Sequence, residues 1–192
     1  MSNEMDWVDS QEAKQKEERS KEYFNISEGE NRFMLLTHCA PLAQVWTGSK
    51  YVPAQEGDKG VSVKGVCWVY QDGMIKSAKL PYTVVKMIRA LQNSSDWDFT
   101  GFPFQHILTL TAKGAGTKEV EYTLMPSPRV TEVPAAMMEE LKKKKSPEEI
   151  AADRVATRRA ELALLASDPE IAANEAKISR RKALTGSADR HV

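Results

Sequence analysis

The chain has 192 residues, 41% of them apolar and 28% charged, and its 27 basic residues balance 27 acidic ones. Two cysteines cannot form a disulfide framework, no apolar run approaches the roughly 18 residues of a membrane span, and the acidic start, which has no hydrophobic stretch, does not read as a secretory signal. These features predict a soluble cytoplasmic protein with one core domain, appendages and reduced thiols at Cys39 and Cys67.

Neutrality is an average over unlike segments. Residues 1–30 carry 4 basic and 9 acidic residues, residues 31–133 carry 11 and 8, and residues 134–192 carry 12 and 10. A polyanionic partner is therefore not excluded: an acidic arm in the same chain could lie over a basic face and compete for it. Most large aromatics fall in the middle segment, among them Trp46, Trp68, Trp97, Phe33, Phe99, Phe102 and Phe104. The organisation predicted is a polar arm over 1–22, a core domain over 23–133 and a helical extension over 134–192.

In chain order, Asp9 to Glu22 is dense in helix-forming polar residues without an apolar stripe, as in a solvated helix or mobile arm. Asn25 to Asn31 is turn chemistry. Arg32 to Thr37 reads as a strand that Gln44 to Thr47 continues after Pro41, and Tyr51 to Lys59 reads as a loop. Val61 to Tyr70 alternates clearly, with Val61, Val63, Cys67 and Val69 on one face and Ser62, Lys64, Trp68 and Tyr70 on the other. Gln71-Asp72-Gly73 is a hairpin turn leading to a partner strand, Met74 to Leu80. Pro81 opens a helix with Val84, Ile88 and Leu91 at helical spacing. An aromatic loop, Asp96 to Pro103, precedes two strands, Gln105 to Lys113 and Glu119 to Met125. Beyond Pro134, helices are predicted over 135–145, 147–166 and 169–184, the last two opened by Ser-Pro-Glu-Glu and Ser-Asp-Pro-Glu, and a polar tail follows. The order predicts a mainly β protein with helical flanks. Its core would be an OB-fold-like, five-stranded Greek-key barrel with one inter-strand helix, and an open α+β sheet is the competing architecture.

Catalytic readings find little support. Lys113-Gly114-Ala115-Gly116-Thr117 has the wrong spacing for a phosphate loop. His38 and Cys39 are strand neighbours that point to opposite faces. His38, Cys39, Cys67 and His106 contain no paired metal-ligand spacing, so no metal and no cofactor are expected. The strongest signal is the polar face of Val61–Tyr70. Trp68 and Tyr70 alternate there with Lys64, near Lys76 and Lys79, while Trp46, Lys50 and Tyr51 extend the set. Rings interleaved with lysines suit a single-stranded nucleic acid, whose bases stack while lysines follow the phosphates. The structural alternative is that Trp68 or Tyr70 caps the end of the barrel.

The phrase Tyr23-Phe24-Asn25-Ile26-Ser27-Glu28-Gly29-Glu30-Asn31-Arg32-Phe33 resembles the barrel entry of tailed-bacteriophage single-stranded DNA-binding proteins. Gly101-Phe102-Pro103-Phe104, the strand from His106 to Thr111, the Lys-Gly-Ala-Gly turn and Glu121 to Pro128 are similar to the end of that barrel. The resemblance covers about residues 23–133. It implies an OB-fold that coats single-stranded DNA in phage or prophage replication, recombination or repair inside a bacterial host cell. It carries over to Trp46, Lys64, Trp68, Tyr70 and Lys76 as occupants of matching strands. The partners expected are single-stranded DNA and, through the helical extension 134–192, replication or recombination proteins or a second copy of the chain. Two departures stand out: the cysteines of a barrel zinc ribbon are lacking, and the C-terminus is basic where many relatives end in an acidic tail. The competing functions are a protein-interaction module with a helical docking tail and a single-stranded RNA binder.

Overall fold

Alternation along Gly29–Leu35 (β2) sends Phe33 and Leu35 into one hydrophobic cluster and Met34 to the opposite face of the sheet. In the computed structural model the described residues are 20–167 apart from 49, 98, 100 and 118, together with 11, 14 and 18. Residues 11, 14, 18 and 20–22 are helical and exposed, in keeping with a solvated helix. The rest of the acidic arm, the helix expected over 169–184 and the polar tail lie outside the described residues.

Eight strands form a mixed sheet, with three helices among the described elements. The strands besides β2 are Tyr23–Phe24 (β1), Ala40–Trp46 (β3), Tyr51–Pro53 (β4), Ser62–Gln71 (β5), Met74–Pro81 (β6), His106–Lys113 (β7) and Glu121–Val130 (β8). The helices are Tyr82–Gln92 (α1), Ala135–Lys142 (α2) and Pro147–Ser167 (α3). Two compact units divide the chain, the first from residues 1–40 and 65–147 and the second from 41–64 and 148–192.

In the first unit the pairing runs β1-β6-β5-β2-β7-β8. Strands β2, β5 and β6 lie side by side and β7 returns beside β2, which is the Greek-key order once β3 and β4 are left aside. The ladders do not close, because β1 and β8 are the two ends of the path. Both ends are nevertheless bridged: α1 packs against β6 and β8, and β1 lies parallel on β6 through Tyr23↔Ser77 and Phe24↔Ala78. The core holds Phe33, Leu35, Cys67, Val69, Ala78, Leu80, Leu108 and Leu110, which α1 covers with Val84 and Ile88.

Close approach of α1 depends on Gly65. A Cβ there would stand 2.6 Å from Val85 Cγ2 and 3.0 Å from Cys39 Cβ. The β5–β6 turn places Asp72 at φ 52° and Gly73 at φ 78°, the paired left-handed conformations that an Asp-Gly hairpin supplies.

The Gly-Glu-Asn-Arg phrase has a structural role. Asn31 is buried, and its Oδ1 accepts from the Ser27 N–H (2.8 Å) and hydroxyl (3.0 Å). Its Nδ2 donates to the carbonyls of Ser27 (2.8 Å), Gly29 (3.0 Å) and Leu110 (3.3 Å). Glu28 accepts from the N–H groups of Gly114 (3.2 Å) and Ala115 (2.7 Å), tying this turn to the β7–β8 hairpin. Asn31→Leu strands buried partners and is expected to cost about 1–3 kcal/mol in urea unfolding. An unchanged midpoint would contradict that role.

In the second unit β3 pairs with β4 and β5. Residues 51–53, expected to be loop, form β4 in the register Gln44↔Pro53, Val45↔Val52 and Trp46↔Tyr51. Leu42 and Val52 are buried, whereas Val61 and Val63, expected on a core face, are exposed. The core cluster takes Cys67 and Val69 from β5 and includes none of its first residues. Helix α3 starts at Pro147 with Glu148 and Glu149 in its first turn, as its start signal predicts. No described helix is long and apolar enough to cross a membrane.

Candidate nucleic-acid interface

A tight turn presents the aromatic pair of the second unit. Both the N–H and the hydroxyl of Thr47 donate to the Lys50 carbonyl at 3.0 Å, closing the β3–β4 hairpin. Directly before and after it, Trp46 and Tyr51 face each other with ring centroids 5.0 Å apart and planes at 56°. Their exposures are 49% and 56%, and Lys50 between them is exposed. Lys64, in the same unit, is half-buried. Wide aromatic surface at a hairpin tip beside a cation can stack bases while the ammonium meets phosphate.

The first unit holds the other four candidates on two faces of its sheet. Trp68 and Tyr70 alternate with Cys67 and Val69 and therefore lie on the face away from the core. The backbone of Trp68 is pinned on both sides: its carbonyl accepts from the Leu36 N–H, and its N–H donates to the Thr37 hydroxyl, both at 3.0 Å. Its indole N–H donates to the Lys145 carbonyl at 2.8 Å, and Lys144 Nζ stands 5.2 Å from the ring centroid. Tyr70 is half-buried opposite Met34. It lines an open pocket of about 320 Å³ with Arg32, Gln71, Asp72, Ile107 and Thr131.

Lys76 corrects the expected set. It shares strand parity with Ala78 and Leu80, so its stem enters the core side, and it is only 6% exposed. Its ammonium donates to Gln71 Oε1 at 3.0 Å and lies 3.8 Å from Asp72 Oδ2. A lysine buried in its own hairpin does not line the face that carries Trp68. Lys79 has the opposite parity and is exposed. It lines a second open pocket, about 310 Å³, with Tyr23, Ile26, Ser77 and Tyr122. Burial raises the Tyr122 hydroxyl above its ordinary value.

Two groups outside the expected set join the first unit's face. Arg32 has the parity of Met34, which placed it beside Tyr70 once the Met34↔Tyr70 register is known. Lys145 reaches Trp68 from 77 positions away with Lys144 beside it, a pairing that no local pattern could reveal.

The loop aromatics serve the core. Phe99 stacks on Phe104 at 4.3 Å and 19°, and Trp97 meets His106 edge-on at 5.5 Å. His106 Nδ1 lies 2.7 Å from the Ser127 carbonyl. Among the described residues no three His, Cys, Asp or Glu side chains gather to hold a metal ion.

Cys39 and Cys67 pair as thiols. The hydrogen bond from Cys67 holds the Cys39 thiol below its ordinary value against the opposing effect of burial. The same bond and burial push Cys67 well above its own. Iodoacetamide is therefore expected to alkylate Cys39 before Cys67, as read by peptide mass spectrometry. The reverse order would contradict the pairing.

Comparison of the chain with protein-family models, with curated proteins and with solved structures finds no match in any of the three.

Proposed function

We propose that the protein is a non-catalytic, sequence-tolerant single-stranded DNA-binding protein that coats DNA in phage or prophage replication, recombination or repair. The observation that carries this reading is the Trp46–Tyr51 pair, two large rings about half exposed on a hairpin whose connecting turn carries the exposed Lys50. Exposed rings of this size are costly for a soluble surface unless a ligand covers them. Bases supply flat apolar faces for the rings, and phosphates supply the counter-charge for the lysine.

The strand order adds support. A Greek key of β2, β5, β6 and β7, a fifth strand β8 beside β7, and α1 between the third and fourth strands match the order of an OB barrel. We read β1 and α1 as filling the gap between β6 and β8 that ladder bonds leave open. On this reading the Trp46–Tyr51 hairpin is the loop between the first two barrel strands, one of the two loops that bind oligonucleotides in such barrels. Arg32 and Tyr70 would offer a further stacking and phosphate-binding place in the first unit. Contacts with replication or recombination proteins, and self-association through 134–192, belong to the same proposal.

Titration with oligo-dT tests it through tryptophan fluorescence. Stacking is expected to quench the emission, and affinity should fall with salt along a log-log line whose slope counts the phosphates neutralised. An unquenched, salt-independent titration would refute the proposal.

A further inference from the structure

Trp68 already has partners in the free protein. Helix α2 ends at Lys142, and the chain beyond it lays its backbone and side chains on the indole. The Lys145 carbonyl, three residues beyond the last helical residue, takes the indole N–H at 2.8 Å. Lys144 Nζ, held 2.9 Å from Glu140 Oε1 one turn back, stands 5.2 Å from the ring centroid. A base cannot stack on a ring face that an ammonium covers.

The cover is lightly attached. Helix α2 packs against β6 but buries none of its residues. Met137, Met138, Glu140 and Leu141 are only half-buried, and the core cluster contains no residue of this helix. An element with so little buried apolar surface opens at low free energy. The displaced cation also needs a new counter-charge, which a phosphate beside a stacking base provides.

We propose that α2 and the run Lys142–Lys145 form a lid on Trp68, closed in the free protein and opened by an arriving DNA strand. A base takes the ring face from Lys144, and Lys142 to Lys145 turn to the phosphates. The lid thus blocks Trp68 until a ligand offers both a ring and an anion, and it then adds its lysines to the site. This inference rests on the single-stranded DNA reading above.

The test uses the full chain with its four tryptophans replaced biosynthetically by 5-fluorotryptophan, the Trp68 resonance being identified by its loss in Trp68→Phe. On saturation with oligo-dT, followed independently by anisotropy of a labelled strand, the Trp68 resonance is expected to move and to gain a solvent isotope shift. Thymidine alone, which has the ring and lacks the phosphates, is expected to leave it in place. The double substitution Met137→Ala/Leu141→Ala removes lid contacts and spares every lysine and Trp68. It should shift the resonance without DNA and tighten oligo-dT binding about 3- to 10-fold, the factor regained when a binding-competent state populated at about 10–30% becomes dominant.

Oligo-dT binding that leaves the Trp68 resonance unmoved would overturn the lid and leave the DNA reading intact. A folded double variant that binds no tighter would overturn it too. If the double variant fails to fold, the titration of the unsubstituted chain decides alone. Absence of any anisotropy change would bring down the DNA reading and the lid together.

Discussion

Replacing Trp46 and Tyr51 together by Ala is expected to weaken oligo-dT binding by about a hundredfold and to leave the unfolding midpoint where it was. Each base stacked on a ring contributes about 1–3 kcal/mol. Two rings lost at the low end already approach the roughly 2.7 kcal/mol that a hundredfold represents. Stability should hold because both rings are about half exposed and their removal opens no cavity. The single substitution Lys50→Ala differs in kind: it should lower the salt slope by about one and weaken binding modestly. Anisotropy of a labelled strand reads both effects. Undiminished binding by the double variant would remove the hairpin from the interface.

Phe104→Ala is expected to produce the opposite profile, a loss of about 3–5 kcal/mol in stability. Phe104 is 1% exposed, stacks on Phe99 at 4.3 Å and lies 5.2 Å from the His106 ring. Its N–H donates to the Leu35 carbonyl at 2.9 Å, so the side chain is anchored where the aromatic loop joins the sheet. Urea unfolding measures the cost. A loss below about 1 kcal/mol would mean that Phe104 and the aromatic loop before it do not support the core.

The two substitutions separate rings that the sequence alone could not sort. Local signals were reliable where the structure is local. The Asp72-Gly73 turn, the β5–β6 hairpin around it and the apolar stripe of α1 follow from neighbouring residues. Strands β1 and β4 were not legible: β1 has two residues and pairs in parallel with a strand 54 positions away, and β4 has three residues ending in Pro53. Val66 is buried on the face that carries Trp68, as are Met34 and Leu36, although alternation in β5 predicts a solvated side there. Helix α2 packs on β6, and nothing in the period of β5 announces the contacts that Lys144 and Lys145 make with Trp68.

Lys76 follows a local rule. Strand parity separates it from Lys79, so the two could not share one face, and its even spacing with Ala78 and Leu80 pointed to the core. Trp46 and Tyr51 come together because the bond from Thr47 to the Lys50 carbonyl closes the hairpin that joins their strands. The role of Asn31 was hidden for another reason. Its five hydrogen bonds include one to Leu110, 79 positions away, so a phrase that first drew notice as a family likeness also organises the entry to the sheet.

The most direct test of single-stranded DNA binding is competition at equilibrium. Labelled oligo-dT bound to the full-length protein is challenged with unlabelled oligo-dT and with duplex of equal nucleotide content, at low and at near-physiological salt. If bases stack on exposed rings, the single strand should displace the label at far lower concentration than the duplex, and its advantage should grow with salt as the shared phosphate contribution is screened. Equal displacement by duplex, or an advantage that vanishes at higher salt, would contradict stacking as the basis of recognition.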